Sequence, residues 1–395
     1  MSPRVLIYLR DIFGLALTSF GGPQAHLALM HQVLVRRRRY FSEDELMETQ
    51  ALCQLLPGPS STQILIVLSQ KRWNTVVALL ALLVWILPAT VFMLLLALLF
   101  ARWEMRSVAT DFLLLIQPMA IGIIAHSGYQ LALRFVRNNT AMMLMLLSLL
   151  TAASFPTPWT FPLIILGAAF VTNLTSTTTS EAAAPATINW KSSYISLLIL
   201  VAAFALTGFL ALFTKARYLV LFENFFRFGM LTFGGGSVLV PQMFEQFVQH
   251  RHYLDAGDFL SGLAISQAMP GPTFSFATFV GGMIMKEEGL PALLAGGLLA
   301  TLAIFLPGTL VAFFVYPIWQ LVKHSMVARR SLEGINAAAA GLILSAAVVL
   351  YTSMEFRTVN IFVMVATFLL LQYSRMHVSL LVALALLSGY IYSRL

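Results

Sequence analysis

The sequence predicts an all-α polytopic membrane protein built from two inverted repeats. Three observations lead to this fold class. Hydrophobic residues make up 59% of the 395-residue chain and charged residues 10%, whereas soluble domains carry roughly 25% charge. A pair of motifs recurs in the second half of the chain. Several apolar stretches exceed the length of about 18 residues that marks a spanning helix, and helices are expected because lipid offers the backbone no hydrogen-bond partner: 74–100, 108–133, 194–214, 289–318 and 331–352.

The recurring motifs are a Phe-Gly-Gly followed by a Pro-Gly-Pro. Phe20-Gly21-Gly22 and Pro57-Gly58-Pro59 return 213 positions later as Phe233-Gly234-Gly235 and Pro270-Gly271-Pro272. The ungapped alignment of the two 47-residue stretches that contain them has 13 identities. Motifs that stay in register over such a length indicate a duplicated unit. After a six-residue insertion the offset becomes 219, and further pairs keep it: Pro88 with Pro307, and Gly122 with Gly341.

The duplication divides the chain into four parts. Residues 1–173 form an N-terminal repeat and residues 215–395 a C-terminal repeat. Between them lie a linker rich in Thr, Ser and Ala, 174–193, and an unpaired apolar segment, 194–214, that is predicted to be a connecting transmembrane helix.

Each repeat contains six apolar segments. Six crossings return the chain to its starting side, and the connecting helix then starts the second copy from the opposite side. We therefore expect inverted-topology repeats related by a pseudo-two-fold axis in the membrane plane, as in many secondary transporters. The segments lie near 9–35, 44–70, 74–100, 108–134, 141–153 and 159–173 in the first repeat, and near 218–249, 257–285, 289–318, 327–352, 358–373 and 377–393 in the second.

The first two segments of each repeat are expected to be broken helices. Proline lacks a backbone donor and disfavours helix at the preceding residue, so each Pro-Gly-Pro interrupts its segment, and the glycine motifs do the same. Each segment is then either a kinked span or a hairpin of two half-helices. In the first repeat, the positive-inside rule favours hairpins because they place Arg36 to Arg39 inside the cell. In the second repeat, the charges favour neither arrangement.

Broken helices at membrane depth predict an anion site. Freed backbone groups are tolerated where they line a cavity, and helix N-termini attract anions. Gln54 and Gln267, each three residues before a Pro-Gly-Pro, can donate to a substrate oxygen or cap the broken backbone. The alternative is that the glycines allow tight packing and the prolines only kink the helices. The predicted substrate-binding residues are Ser19, Gly21, Gly22, Gln54, Pro57, Gly58, Pro59, Ser60, Thr232, Gly234, Gly235, Gly236, Gln267, Pro270, Gly271, Pro272 and Thr273.

Four ionisable residues are candidates for charge compensation or proton coupling. Arg10 and Asp11 begin the first segment, and Arg227 lies near the start of its counterpart. An ionisable residue inside a membrane segment is a functional hypothesis by default, although these residues can also pair with one another at the interface. His26 can titrate with a coupled proton or be a packed, hydrogen-bonded histidine.

Composition excludes other classes of site and partner. The net charge of +8 suits loops held at a membrane face. A nucleic-acid partner is not expected, because no basic domain stands outside the bilayer. A single cysteine, Cys53, excludes an internal disulfide and any cysteine-based metal cluster. No cofactor is expected. ATP-driven transport has no support, because Gly234-Gly235-Gly236-Ser237 lacks the lysine of a nucleotide-binding loop.

The two motif pairs resemble the signatures of the chromate ion transporter family, in its long two-domain form. The resemblance rests on Phe20-Gly21-Gly22-Pro23-Gln24-Ala25-His26, on Phe233-Gly234-Gly235-Gly236-Ser237-Val238 and on the Pro-Gly-Pro after each. It implies a multi-pass protein of the cytoplasmic membrane that exports chromate, driven by the membrane potential or a proton gradient, with sulfate as a competing analogue.

Other readings of the same residues stay open from sequence alone. The helix ends can serve an intramembrane enzyme that acts on an anionic lipid or phosphate group. They can also serve an uptake transporter for sulfate or another oxyanion, or a passive anion channel. Whether the chain forms a homodimer is likewise open.

Overall fold

The structure is a computed structural model, and helices are the regular secondary structure of the residues it describes. These are residues 3–20, 22–102, 114–155, 157, 160–175, 190–213, 216–232, 236–319, 326–354, 356–374, 376 and 378–392. The all-α prediction is confirmed, because these residues form seventeen α-helices and no strand.

The helices follow the predicted segments closely. In the first repeat they are α1 (Pro3–Thr18), α2 (Gly22–Met30), α3 (Glu43–Leu55), α4 (Ser60–Arg72), α5 (Thr75–Arg102), α6 (Ile116–Phe135), α7 (Asn139–Ser154) and α8 (Thr160–Thr175). The connecting helix is α9 (Trp190–Phe213). In the second repeat they are α10 (Arg217–Leu231), α11 (Gly236–Phe244), α12 (Ala256–Gln267), α13 (Phe276–Ile284), α14 (Leu290–Val315), α15 (Met326–Thr352), α16 (Thr358–Tyr373) and α17 (Val378–Tyr392).

The predicted helix breaks are present. The chain is non-helical between α1 and α2, and again between α3 and α4, where α3 and α4 pack against each other across Pro57-Gly58-Pro59. In the second repeat, Pro270-Gly271-Pro272 separates α12 from a 3₁₀ turn that leads into α13. The start of the predicted span 108–133 lies outside the described residues, and its helix α6 is described from Ile116.

Hydropathy supports membrane insertion. Among the described residues, three helical stretches are long and apolar enough to cross a bilayer: Thr75–Arg102, Leu290–Ile318 and Arg330–Thr352. Five shorter apolar helices accompany them: Asn139–Ser154, Thr160–Thr175, Thr273–Ile284, Thr358–Tyr373 and Val378–Ile391.

The duplication extends to backbone geometry. α2 continues into a π-helical segment at His31–Arg37, and α11 does so at Glu245–His250. Just after these segments, Arg39 and His252 have positive φ angles of 53° and 50°. The residues that follow, Tyr40 and Tyr253, are also 213 positions apart, and each donates its amide to a carbonyl six residues earlier at 2.8 Å. A shared local fold of this detail supports common origin of the two copies.

The equivalent helices α3 and α12 each start after a polar N-cap residue, but only α3 has the full capping box. Ser42 Oγ accepts from the Glu45 amide at 3.1 Å, and Glu45 Oε2 accepts from the Ser42 amide at 3.0 Å. At the matching position, Asp255 makes no side-chain capping bond. The full capping box is therefore present in the first repeat and not at the matching position of the second.

The chain forms two compact units, and each draws on both repeats. Unit 1 comprises residues 1–97, 179–235 and 270–328. Unit 2 comprises residues 98–178, 236–269 and 329–395. The division into repeats at 1–173 and 215–395 describes the duplicated sequence and stays a prediction.

Within unit 2, two equivalent glycine contacts join a helix of one repeat to a helix of the other. A Cβ at Gly122 in α6 would lie 2.6 Å from the Met364 carbonyl oxygen in α16. A Cβ at Gly341 in α15 would collide with the Met145 carbonyl oxygen in α7. Gly122 and Gly341 keep the offset of 219, and so do Met145 and Met364. The glycines are therefore required where one repeat's helix backbone meets the other's.

Gly341→Leu is expected to lower the melting temperature of the purified protein by several degrees. The new side chain would overpack the contact with Met145, and overpacking costs roughly 1–3 kcal/mol. Gly167→Leu is the matched control, because nothing lies within 4 Å of a Cβ at Gly167 in α8. Equal melting temperatures for the two variants would contradict the close packing of α15 on α7.

Candidate functional site

The first candidate element is the break before α4. Pro59 precedes the helix and supplies no side-chain cap, and the first helical bond runs from the Gln63 amide to the Pro59 carbonyl at 3.0 Å. The amides of Ser60 and Ser61 therefore point into the break without a helical partner, as at any helix N-terminus. A helix end of this kind has a partial positive charge and favours an anion.

The second candidate element is the break before α13. Here Pro272 is followed by a 3₁₀ turn, Thr273–Ser275, and the Ser275 amide donates to the Pro272 carbonyl at 2.9 Å. Both breaks belong to unit 1, together with Ser19 and Thr232.

Each break is closed by a backbone hydrogen bond to the other repeat. The Gly58 amide donates to the Thr232 carbonyl at 2.7 Å, and the Gly271 amide donates to the Ser19 carbonyl at 2.8 Å. Both donors and both acceptors are 213 positions apart, so the two bonds are equivalent. The φ angles of Gly58 and Gly271 are +108° and +113°, which L side chains rarely adopt.

The same glycines allow each break to approach a long helix of the other repeat. A Cβ at Gly58 would lie 3.0 Å from Gly308 Cα in α14, and a Cβ at Gly271 would lie 2.8 Å from Ala89 Cβ in α5. Ala89 and Gly308 keep the offset of 219, and each follows the proline inside its helix. Positive φ and close contact thus both require glycine at the centre of each Pro-Gly-Pro.

Each break has three hydroxyl-bearing residues, at positions that are equivalent in the two repeats. At the Gly271 break they belong to Ser19, Thr90 and Ser275. The backbone carbonyl of Ser19 accepts a hydrogen bond from the Gly271 amide, Thr90 follows Ala89, and Ser275 lies in the turn after Pro272. The side chains of all three are buried, and their oxygens have no hydrogen-bond partner within the described part of the chain.

At the Gly58 break the equivalent hydroxyls are all engaged. Thr232 Oγ1 donates to the Phe228 carbonyl at 2.6 Å, and Thr309 Oγ1 donates to the Phe305 carbonyl at 2.8 Å. Thr62 Oγ1 accepts from Trp85 Nε1 at 3.2 Å. The two breaks share a backbone design and differ in the availability of their hydroxyls.

Gln63 fills the Gly58 break, and sequence reasoning overlooked it. Its Nε2 donates to the Pro57 carbonyl at 2.7 Å and to the Gly308 carbonyl at 3.0 Å. The side chain is fully buried, and the equivalent residue of the second repeat is Phe276, which offers no such donor. A comparison of the two repeats position by position would have revealed this difference.

His26 is packed beside the Gly58 break. Its Nδ1 lies 3.1 Å from Ser61 Oγ, and its ring meets Trp85 edge-on with centroids 5.4 Å apart. The equivalents of His26 and Ser61 are Leu239 and Phe274. These contacts fit the packed, hydrogen-bonded alternative, Nε2 is buried without a partner among the described residues, and a coupling role stays a prediction.

The other predicted binding residues are distributed unevenly. Gly22 begins α2 with a φ of +80°, and Gln54 near the end of α3 is partly exposed; both belong to unit 1. Gly236 begins α11 and Gln267 ends α12, and these two belong to unit 2. Gly21, Gly234 and Gly235 lie outside the described residues.

Two of the charged candidates, Asp11 and Arg227, form ion pairs. Asp11 accepts from Arg38 Nη2 and from the Tyr40 hydroxyl, both at 2.7 Å. Burial and this bond to Asp11 raise the pKa of Tyr40 to about 12. Arg227 Nε lies 3.0 Å from Glu223 Oε1 one helical turn away, whereas Arg10 is exposed. These contacts explain Asp11 and Arg227 as structural partners, and a coupling role stays a prediction.

Gly271→Ala is expected to destabilise the protein, and Ala89→Gly is expected to restore part of the loss. A left-handed alanine costs roughly 1–2 kcal/mol, and its Cβ would also meet Ala89 Cβ. The second substitution removes the contact and leaves the backbone strain. Thermal denaturation of the two single variants and the double variant measures the coupling. Strict additivity would contradict direct contact between these residues.

Comparison with known proteins agrees with this duplicated arrangement. The sequence profile of the Chromate transporter family matches residues 7–173 and 219–390, one stretch in each half. An uncharacterized transporter of Methanocaldococcus jannaschii is 22% identical over 390 residues, which cover 99% of this chain and 95% of the relative. No solved structure matches the chain.

Two relatives have names that state a substrate. The chromate transport protein of Cupriavidus metallidurans is 25% identical over 98% of this chain and 91% of its own length. The chromate transport protein of Pseudomonas aeruginosa is 26% identical over 83% of this chain and 76% of its own length. The family and these relatives are transporters, which excludes the enzyme alternative. The family match covers well over half of the sequence, and the chain therefore belongs to the chromate transporter family.

Proposed function

We propose that the chain is a secondary active transporter that exports chromate across the cytoplasmic membrane and accepts sulfate as an analogue. Family membership and the named function of two relatives support the substrate class. We further propose that the anion binds at the Gly271 break, close to the middle of the membrane.

The free hydroxyls of Ser19, Thr90 and Ser275 carry this proposal. An unpartnered buried hydroxyl costs roughly 1–3 kcal/mol, so three of them near one helix break call for a ligand or water that accepts hydrogen bonds. A tetrahedral oxyanion offers acceptor oxygens in several directions. It can also accept hydrogen bonds from the first backbone amides of the turn that begins at Thr273. At the Gly58 break the equivalent hydroxyls already have partners, and Gln63 Nε2 donates to two backbone carbonyls.

We also propose inverted repeats that work by alternating access. The support is the reciprocal character of the contacts within each unit: Gly58 with Thr232 matches Gly271 with Ser19, and Gly122 with Met364 matches Gly341 with Met145. A two-fold relation generates contacts of this kind. The connecting helix α9 adds one further crossing between the repeats, so the second copy starts from the opposite side of the membrane. This arrangement is found in many secondary transporters.

Thr90→Val is expected to weaken chromate binding by about tenfold or more. A hydrogen bond to a charged group is worth roughly 1.5–3 kcal/mol, and 1.4 kcal/mol is a factor of ten. The matched control is Thr309→Val at the equivalent position, whose hydroxyl only returns to its own helix. Affinity is measured as the chromate-dependent rise in melting temperature of the purified protein.

Counterflow of labelled chromate in proteoliposomes tests the transport activity itself. Wild type and Thr309→Val are expected to exchange chromate at the same rate, and Thr90→Val more slowly at low concentration. Equal losses in both variants would argue against the Gly271 break as the binding site.

Absence of wild-type counterflow for chromate and sulfate would argue against transport. A passive channel would equilibrate chromate without accumulating it against its gradient.

A further inference from the structure

His26 has a polar contact at each of the two helix breaks of unit 1. It lies in α2 and is 1% exposed. Its Nδ1 lies 3.1 Å from the Oγ of Ser61, in the first turn of the helix that follows the Gly58 break. Its imidazole ring also interacts with the backbone of Ser19, whose carbonyl accepts the Gly271 amide at 2.8 Å. The ring therefore lies beside groups that belong to both breaks.

Helix α5 gives a second indication that the ring lies near the Gly271 break. His26 meets the Trp85 ring edge-on, with centroids 5.4 Å apart. Trp85 and Ala89 are spaced i, i+4, so they lie on the same face of α5 and about 6 Å apart along its axis. A Cβ at Gly271 would lie 2.8 Å from Ala89 Cβ. The histidine and the break are thus neighbours along one face of α5.

The other ring nitrogen of His26 is not satisfied. Nε2 is buried and has no hydrogen-bond partner among the described residues, and the same is true of Ser19 Oγ. A neutral imidazole has one donor and one acceptor, so a partner on Nδ1 alone leaves half of its capacity unused. Unused polar groups are costly in an apolar interior. Two of them on residues in contact are therefore expected to have a ligand or water as their partner.

The bond with Ser61 decides what Nε2 can offer. When the Ser61 hydroxyl donates to Nδ1, the imidazole proton lies on Nε2, which is then a donor. In the opposite tautomer Nε2 is an acceptor and would repel an anion. The donor tautomer matches the hydroxyls of Ser19, Thr90 and Ser275, which are also able to donate to an anion.

Packing alone does not require a histidine at this position. The equivalents of His26 and Ser61 in the second repeat are Leu239 and Phe274, whose side chains carry no hydrogen-bonding group. Leu239 is 1% exposed, so a purely apolar side chain is buried there in the other copy. The polar pair is therefore a property of the first copy and not of the repeat.

We propose that His26 is a further ligand of the anion at the Gly271 break, to which it donates the Nε2 proton. Ser61 is a positioning residue, because its hydroxyl fixes the orientation of the ring and the tautomer. The role of His26 rests on the proposed function and deepens it, since the ligand is the same tetrahedral oxyanion. It adds a ring N–H from α2 to the three hydroxyls already described.

Two substitutions of His26 test the donor, with sulfate as the probe. His26→Leu introduces the residue found in the second repeat and is expected to weaken sulfate binding by roughly tenfold, as expected for one hydrogen bond to a charged group. His26→Gln is expected to retain most of the affinity, because the glutamine amide can donate from nearly the same position. Affinity is measured as the sulfate-dependent rise in melting temperature, relative to each variant without sulfate.

His126→Leu is the matched control and is expected to bind sulfate as wild type does. His126 belongs to unit 2, and its Nε2 lies 3.3 Å from Gln130 Nε2. The same chemical change is thus made away from the Gly271 break. A sulfate affinity of His26→Leu equal to that of wild type overturns the ligand role.

Nitrogen NMR of histidine-labelled protein detects the contact directly and does not depend on a stable leucine variant. The imidazole signals of His26 are those missing from the spectrum of His26→Gln. Sulfate is expected to shift the Nε2 signal of wild type, because a hydrogen bond to an anion changes the surroundings of that nitrogen. In Thr90→Val the shift is expected to need roughly tenfold more sulfate. An Nε2 signal that stays fixed while sulfate raises the melting temperature overturns the contact and leaves water as the partner.

The outcomes separate the role of His26 from the proposed function. If Thr90→Val weakens sulfate binding and His26→Leu does not, the anion site at the Gly271 break stands and His26 is not part of it. If neither sulfate nor chromate stabilises wild type, the anion site and the ligand role of His26 are overturned together.

Discussion

The amide groups of Gly58 and Gly271 impose the constraint on which unit 1 depends. A break in a membrane helix frees backbone groups that lipid cannot satisfy. Here each freed amide finds a carbonyl in the opposite repeat, Thr232 for Gly58 and Ser19 for Gly271. These bonds draw two backbones together, and the absence of a Cβ at both glycines follows from that approach. The two repeats are thereby interlocked, and neither supplies the partner for its own break.

Divergence between the copies creates the candidate sites. Duplication alone would yield two equal breaks, each with three hydroxyls. In the first copy, Gln63 Nε2 donates to two backbone carbonyls and Trp85 Nε1 donates to Thr62, whereas Gln63 Oε1 has no partner among the described residues. In the second copy, their equivalents are Phe276 and Ile304, whose side chains carry no hydrogen-bonding group, and the hydroxyls of Ser19, Thr90 and Ser275 have no partner among the described residues. The copies also differ at Gln32 and Glu245, where one side chain is exposed and the other is buried.

Local signals in the sequence were sufficient for the helices and their breaks. Hydropathy predicted the segments, and proline and glycine chemistry predicted interruptions near Gly58 and Gly271. The partners of the site residues were not predictable in this way, because Gln63 contacts Gly308 at a separation of 245 residues. Asp11 was a coupling candidate by position alone, and only the folded chain shows that Arg38 and Tyr40 bind it.

The hydroxyls at the Gly271 break limit the kind of ligand that can satisfy them. Ser19, Thr90 and Ser275 hold hydroxyls that can donate to an anion. Their equivalents at the Gly58 break, Thr232, Thr309 and Thr62, already have partners within the chain. The proposed transport of an anion therefore assigns unequal roles to two breaks whose backbones are equivalent, because among these six residues the hydroxyls without a partner lie at the Gly271 break.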